Sequence, residues 1–116
     1  MHTFRNYTID TPQYTLYKNM YANQTVDFVQ SKLEQYSDLN NRQMTMNEGL
    51  SLLDEFIDPS DPDTDLPNSI HAYQTAENIR KLYPQNEELQ VCGLIHDLGK
   101  ILYKFNEPDW NVVGDT

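Results

Sequence analysis

The chain has 116 residues and a mass of 13.6 kDa, enough for one domain with a modest core and too few for two. Eight Lys and Arg stand against eighteen Asp and Glu, a formal charge of -10, so a phosphate backbone or an anionic membrane surface is repelled and neither nucleic acid nor membrane is expected as a partner. No charged-then-apolar leader opens the sequence and no apolar run approaches the roughly 20 residues of a membrane span, which places the expected location in the cytoplasm.

In chain order, Asp10-Thr11-Pro12 offers a capping side chain and then a proline suited to a first helical turn. From Tyr14 to about Tyr36, Tyr17, Met20, Tyr21, Phe28, Val29, Leu33 and Tyr36 recur mostly at three-, four- and seven-residue steps, an apolar helical stripe with a polar gap near Gln24. Thr45-Met46-Asn47-Glu48 has the form of a capping box and opens a helix carrying Leu50, Leu53, Phe56 and Ile57. The stretch Asp58 to Leu66-Pro67 holds three prolines and four aspartates and predicts a rigid, exposed loop.

Asn68 and Ser69 are expected to cap the next helix, which carries Ile70, His71, Ala72, Tyr73, Ala76, Ile79 and Leu82 and stops before Pro84. Asn86-Glu87-Glu88 opens another through Leu89, Val91, Cys92, Leu94, Ile95 and Leu98. Apolar over much of its surface, this helix is expected to be central, with Cys92 a small buried thiol. Beyond Phe105, Asn106 to Trp110 reads as a turn with no closing element after it. The pattern is all-α.

The chemistry concentrates at His96-Asp97. Adjacent side chains diverge by about 100° around an α-helix, so the two can meet one ion only where a turn is distorted or ends. His71 lies one predicted helix upstream, and the three supply two neutral imidazoles and a carboxylate for one metal. Lys100, one turn on, can donate to a bound oxygen or exchange a proton with a substrate hydroxyl. His71 alone reads more readily as a surface or capping histidine, and Lys100 as a cation at a helix end; His2 has no supporting motif.

His96-Asp97-Leu98-Gly99-Lys100 with a preceding histidine resembles the HD-domain superfamily. The ordered series Phe4-Arg5-Asn6-Tyr7, Gln24 to Val29, Ser60-Asp61-Pro62-Asp63, Pro67-Asn68-Ser69, Gln74-Thr75-Ala76-Glu77, His96 to Lys100 and Val112 to Thr116 resembles the N-terminal part of the myo-inositol oxygenase family. The resemblance implies an HD-domain-like helical bundle, a single partial domain over 1–116 that stops before the family's C-terminal helices. It implies non-haem di-iron chemistry that cleaves myo-inositol with O2 to D-glucuronate in inositol catabolism. Carried over by position, His71, His96 and Asp97 become iron ligands, with Asp97 bridging both irons. Lys100, Arg5, Asp58, Ser60, Gly114 and Asp115 become substrate contacts, and Lys100 is also expected to act in catalysis. Pro59 stands where the family usually has Glu, and the family's remaining ligands, two histidines and one aspartate, lie in later helices.

Two rival readings stay open. An HD-type phosphohydrolase would use the same ligands to activate water against a phosphate ester, which the shortage of basic residues disfavours. A non-catalytic remnant would instead associate through apolar helix faces; under any reading, Val91, Leu94, Ile95 and Leu98 are expected to keep more exposure than in a complete domain, because the elements that would bury the far side of their helix are among those not in this sequence.

Overall fold

In a computed structural model that describes residues 4–113, six α-helices and one 3-10 helix account for the regular structure, with no strand among the described residues. The all-α expectation holds. Helix α1 (Pro12–Asn23) starts where Thr11 accepts the Tyr14 amide and Pro12 fills a position that needs no N–H donor. It buries Leu16, Tyr17 and Met20.

The expected single stripe from Tyr14 to Tyr36 is instead two helices. At the polar gap the Gln24 amide closes α1 on the Met20 carbonyl, and Thr25 accepts the Phe28 amide to open α2 (Val26–Tyr36). A threonine ahead of an acidic first turn is a helix start, and it lies inside an apolar stripe that continues across it. Helix α2 buries none of its residues and is held along one edge. Phe28 meets Trp110 at 5.1 Å between ring centroids, while Lys32 and Tyr36 both reach the buried Glu107 carboxylate at 2.6 and 2.7 Å.

Helix α3 (Met46–Asp54) has the expected capping box, with both reciprocal bonds between Thr45 and Glu48 present. It buries Leu50 and Leu53. Helices α4 (Asn68–Leu82) and α5 (Glu87–Ile95) form a tightly packed pair, followed by the 3-10 helix Leu98–Phe105 and the short α6 (Asp109–Val112). The turn expected after Phe105 thus leads into a closing element, which packs against α1.

Two apolar clusters result. Leu16, Tyr17, Met20, Phe56 and Val113 form one, and Leu50, Leu53, Ala72 and Ile101 form the other. Phe56 stacks on Tyr103 at 4.7 Å, so the 3-10 helix touches both. The Cα radius of gyration is 16.1 Å, against about 13 Å for a compact domain of this length, and the extents of 45 × 43 × 25 Å describe a slab with open faces.

That openness overturns the expectation of a central α5 with a buried Cys92 and agrees with the expected exposure of Val91. Only Gly93 of this helix is buried, and Cys92 is exposed. Apolarity around a helix predicts burial only if something packs on every side, and here α4 covers one side. Val91 is 48% exposed, while Leu94, Ile95 and Leu98 are half-buried.

Candidate metal centre and polar cleft

Three side chains meet where α4 begins and α5 ends. His71 Nε2 lies 3.2 Å from His96 Nε2 and 3.6 Å from Asp97 Oδ2, and His96 Nε2 lies 3.5 Å from the same oxygen. A point equidistant from these atoms is about 2.0 Å from each, the length of a metal bond to imidazole nitrogen or carboxylate oxygen (about 2.0–2.2 Å). The donor set therefore fits a divalent transition metal.

The local backbone explains how adjacent residues can share a point. Helix α5 ends at Ile95, and Asp97 has φ -100 and ψ 8 as the chain tightens into the 3-10 helix. The helical divergence of about 100° between neighbours is lost at that junction. The His96 ring is oriented by Nδ1, 2.7 Å from the Gly93 carbonyl. A carbonyl only accepts, so Nδ1 carries a proton, and Nε2 is the ring nitrogen left facing the other two ligand atoms.

Side chains at i and i+3 eclipse in a 3-10 helix, which sets Lys100 over Asp97. The Lys100 ammonium donates to Asp58 Oδ2 at 2.8 Å, Asp97 Oδ2 at 3.0 Å and Asn68 Oδ1 at 3.1 Å, using all three of its donors. Burial lowers its pKa, but the bonds and charges of Asp58 and Asp97 outweigh that and raise it, so the group stays charged. Burial likewise raises the Asp97 carboxyl, and the Lys100 bond and charge, the Asn68 amide and His96 together hold it below the usual range. Asp58 follows the same balance: burial is overcome by Lys100 and by the Ser60 hydroxyl and amide, and its pKa is lowered.

A cleft of about 600 Å³ opens beside this cluster, lined in part by Arg5, Asp58, Ser60, Asp63, Asp97 and Lys100. Four of the residues assigned by position as substrate contacts, Arg5, Asp58, Ser60 and Lys100, thus share one wall with Asp97. Gly114 and Asp115, and also His2, lie outside the described residues. Ser60 is buried, its hydroxyl donating to Asp58 Oδ1 at 2.6 Å, so the loop expected to be exposed begins by folding inward and Ser60 holds Asp58 in place. Arg5 pairs with Asp63 at 2.6 Å at the exposed rim.

Asn68 was expected as a helix cap and instead joins the site through Lys100 and Asp97. The signal was present in the spacing: Asn68 and His71 are three residues apart and share a face of α4.

The described residues are helical and gather two imidazoles and a carboxylate beside a polar cleft, which makes this a candidate metal site in an all-α chain. Comparison with known proteins makes it specific. The family model described as Myo-inositol oxygenase matches residues 12–116. Inositol oxygenase of Homo sapiens is 51% identical over 117 residues, covering 98% of this chain and 41% of the human protein. Inositol oxygenase 1 of Arabidopsis thaliana is 48% identical over 121 residues, with 98% and 39% covered, and the Danio rerio inositol oxygenase is 44% identical over 113, with 97% and 41%. The chain belongs to the myo-inositol oxygenase family, and it spans about two fifths of the length of the curated relatives it matches.

Proposed function

We propose that the chain supplies one side of the active site of an inositol oxygenase, in which His71, His96 and Asp97 hold iron and the adjoining cleft receives myo-inositol. The observation that carries this reading is the triangle of three ligand atoms opening onto a cleft walled by Asp58, Asp97 and Lys100. When bound, a di-iron centre would supply the activation of O2 and of a substrate hydroxyl for cleavage of the ring to D-glucuronate. Asp97 would help hold that centre together with His71 and His96, and the whole enzyme, an HD-type domain in the cytoplasm, would open inositol catabolism.

The chain's own residues then have distinct tasks. Carboxylates at Asp58 and Asp97 accept from polyol hydroxyls, while the Lys100 ammonium donates to a hydroxyl oxygen and stabilises negative charge developing there. A raised pKa and three acceptors make Lys100 a donor rather than a base. A hydroxyl reaching Lys100 has to replace one of those acceptors, and Asp58, at the cleft wall, is placed to exchange its bond for one with substrate.

The phosphohydrolase alternative finds no support in this cleft. Asp58, Asp61, Asp63 and Asp97 line it, and its two cations, Arg5 and Lys100, are already paired with carboxylates, so the side chains offer a phosphate no free cationic group. Anaerobic titration of the chain with Fe(II) is expected to show saturable binding of one ion that His96→Ala abolishes. Absence of saturable binding would remove the basis of the reading. With Fe(II), reductant, O2 and myo-inositol, the 116-residue chain is expected to release no glucuronate above a metal-only control, because three protein ligands leave much of an iron's coordination sphere unfilled.

A further inference from the structure

The start of α4 dispenses with a side-chain cap. Pro67 stands at its N-cap position, the Ile70 amide turns back to the Pro67 carbonyl at 3.1 Å, and Asn68, the first helical residue, donates its own orphan amide to the carbonyl of Phe56, just beyond α3, at 2.7 Å. Because Asn68 lies one residue inside the helix rather than at its N-cap, its carboxamide takes no part in capping, and the residue is buried. Its Oδ1 accepts from Lys100 Nζ at 3.1 Å, and its Nδ2 donates to Asp97 Oδ2 at 3.4 Å. The amide orientation follows from chemistry, since an ammonium can only donate and a carboxylate can only accept.

Asp97 Oδ2 is the oxygen that faces both imidazoles, and it is also bonded by Lys100. With Lys100 as its sole donor, the carboxylate would be free to turn toward the ammonium and away from His71 and His96. Asn68 adds a second donor from α4, the helix that carries His71, and so ties the angle of Asp97 to the element bearing its partner imidazole. The same planar group also accepts from Lys100.

We propose that Asn68 is a positioning residue for the metal centre, setting the angle at which Asp97 Oδ2 meets an ion held by His71 and His96 and fixing Lys100 at the cleft wall. This rests on the metal-site reading above and goes beyond it by naming a residue that touches no ion. Outer groups that orient metal ligands typically govern affinity by roughly 10–100-fold.

The test uses Co(II) alone as probe, followed by its visible absorption, with far-UV circular dichroism and thermal midpoint recorded for each variant. Asn68→Leu is close in volume and removes both hydrogen bonds; Asn68→Ala serves if the leucine variant does not fold. Either is expected to retain helical content, bind Co(II) roughly 10–100-fold more weakly than the parent, and shift the Co(II) band. Ser69→Ala is the control. It breaks the buried bond from Ser69 Oγ to Asp54 Oδ1 at 2.7 Å, one residue along the same turn and away from the site, and is expected to lower the thermal midpoint while leaving Co(II) affinity and band unchanged. Parent-like affinity and spectrum in a folded Asn68 variant would overturn the proposal and leave the metal-site reading standing. Equal loss of affinity in Ser69→Ala would overturn it in favour of general stability of the helix start, and no saturable binding by the parent would overturn both.

Discussion

The two sides of the site are held in opposite ways. On the cation side Lys100, Asp58 and Asp97 are enclosed, with side chains 13%, 15% and 22% exposed, and every ammonium donor has an acceptor. On the imidazole side His71 and His96 are 55% and 39% exposed, and apart from their mutual contact and Asp97 the anchor of these rings among the described residues is the Gly93 carbonyl behind His96. The cation side is organised before anything binds. The imidazole side depends on the packing of α4 against α5 and stays open toward a further ligand.

Stability and binding should therefore separate between the two sides. Lys100→Ala leaves Asp58 and Asp97 enclosed without a counter-charge and is expected to cost about 3 kcal/mol, the lower end of the range for breaking a buried ion pair because these groups are not fully sealed. His71→Ala removes an exposed ring and is expected to change stability by less than about 0.5 kcal/mol while eliminating metal binding. Urea denaturation of both variants beside Co(II) titration checks this. Equal destabilisation by the two substitutions would break the distinction.

The pH dependence sharpens the same contrast. Asp58 has a lowered pKa in the folded chain, so its stabilising effect is fully present above its unfolded value of about 3.9 and is lost as pH falls through the folded value. Lys100 is raised, so its effect is present below about 10.4 and is lost as pH rises through the folded value. The unfolding free energy is expected to decline in acid below about pH 4, with a shallower decline in Asp58→Asn. An unchanged acid limb in that variant would show that the Asp58–Lys100 pair is not what acid breaks.

How far the sequence reveals this arrangement differs between elements. The Thr45–Glu48 box, the Asn86 start and the Pro12 first turn were legible because each is a local contest between a few backbone donors and one side chain. The meeting of His96 with Asp97 was legible too, through the requirement that an α-helix end there. The break at Gln24 was masked by an apolar stripe that continues across it, although Thr25 carried the signal. The burial of α5 was misread because periodicity describes a helix and says nothing of how many neighbours it has. Asn68 was misassigned for another reason: the helix starts one residue earlier than the Asn68-Ser69 pair suggests, with Pro67 in the cap position, which leaves the Asn68 carboxamide to Lys100 and Asp97.

The smallest expected effect lies where α5 approaches α4. A Cβ at Gly93 would overlap Ile79 Cδ1 and touch Thr75 Cγ2 at 3.4 Å, with the Ala76 Cα at 3.6 Å. The tight contact is with the end of a flexible side chain, so Gly93→Ala can be accommodated by turning Ile79 or by a small opening of the helix pair at a cost of about 1 kcal/mol. Alanine is favoured over glycine inside a helix by nearly the same amount, about 0.8–1 kcal/mol, and the net change in thermal midpoint is expected to be small. Metal affinity should respond more than stability, because the Gly93 carbonyl orients His96 and any opening of α4 from α5 widens the 3.2 Å spacing of the two imidazoles. A loss of about tenfold in Co(II) affinity at near-parental stability is expected. Parental affinity would mean that Ile79 alone absorbs the added carbon, and that the His71–His96 spacing is set elsewhere than at this contact.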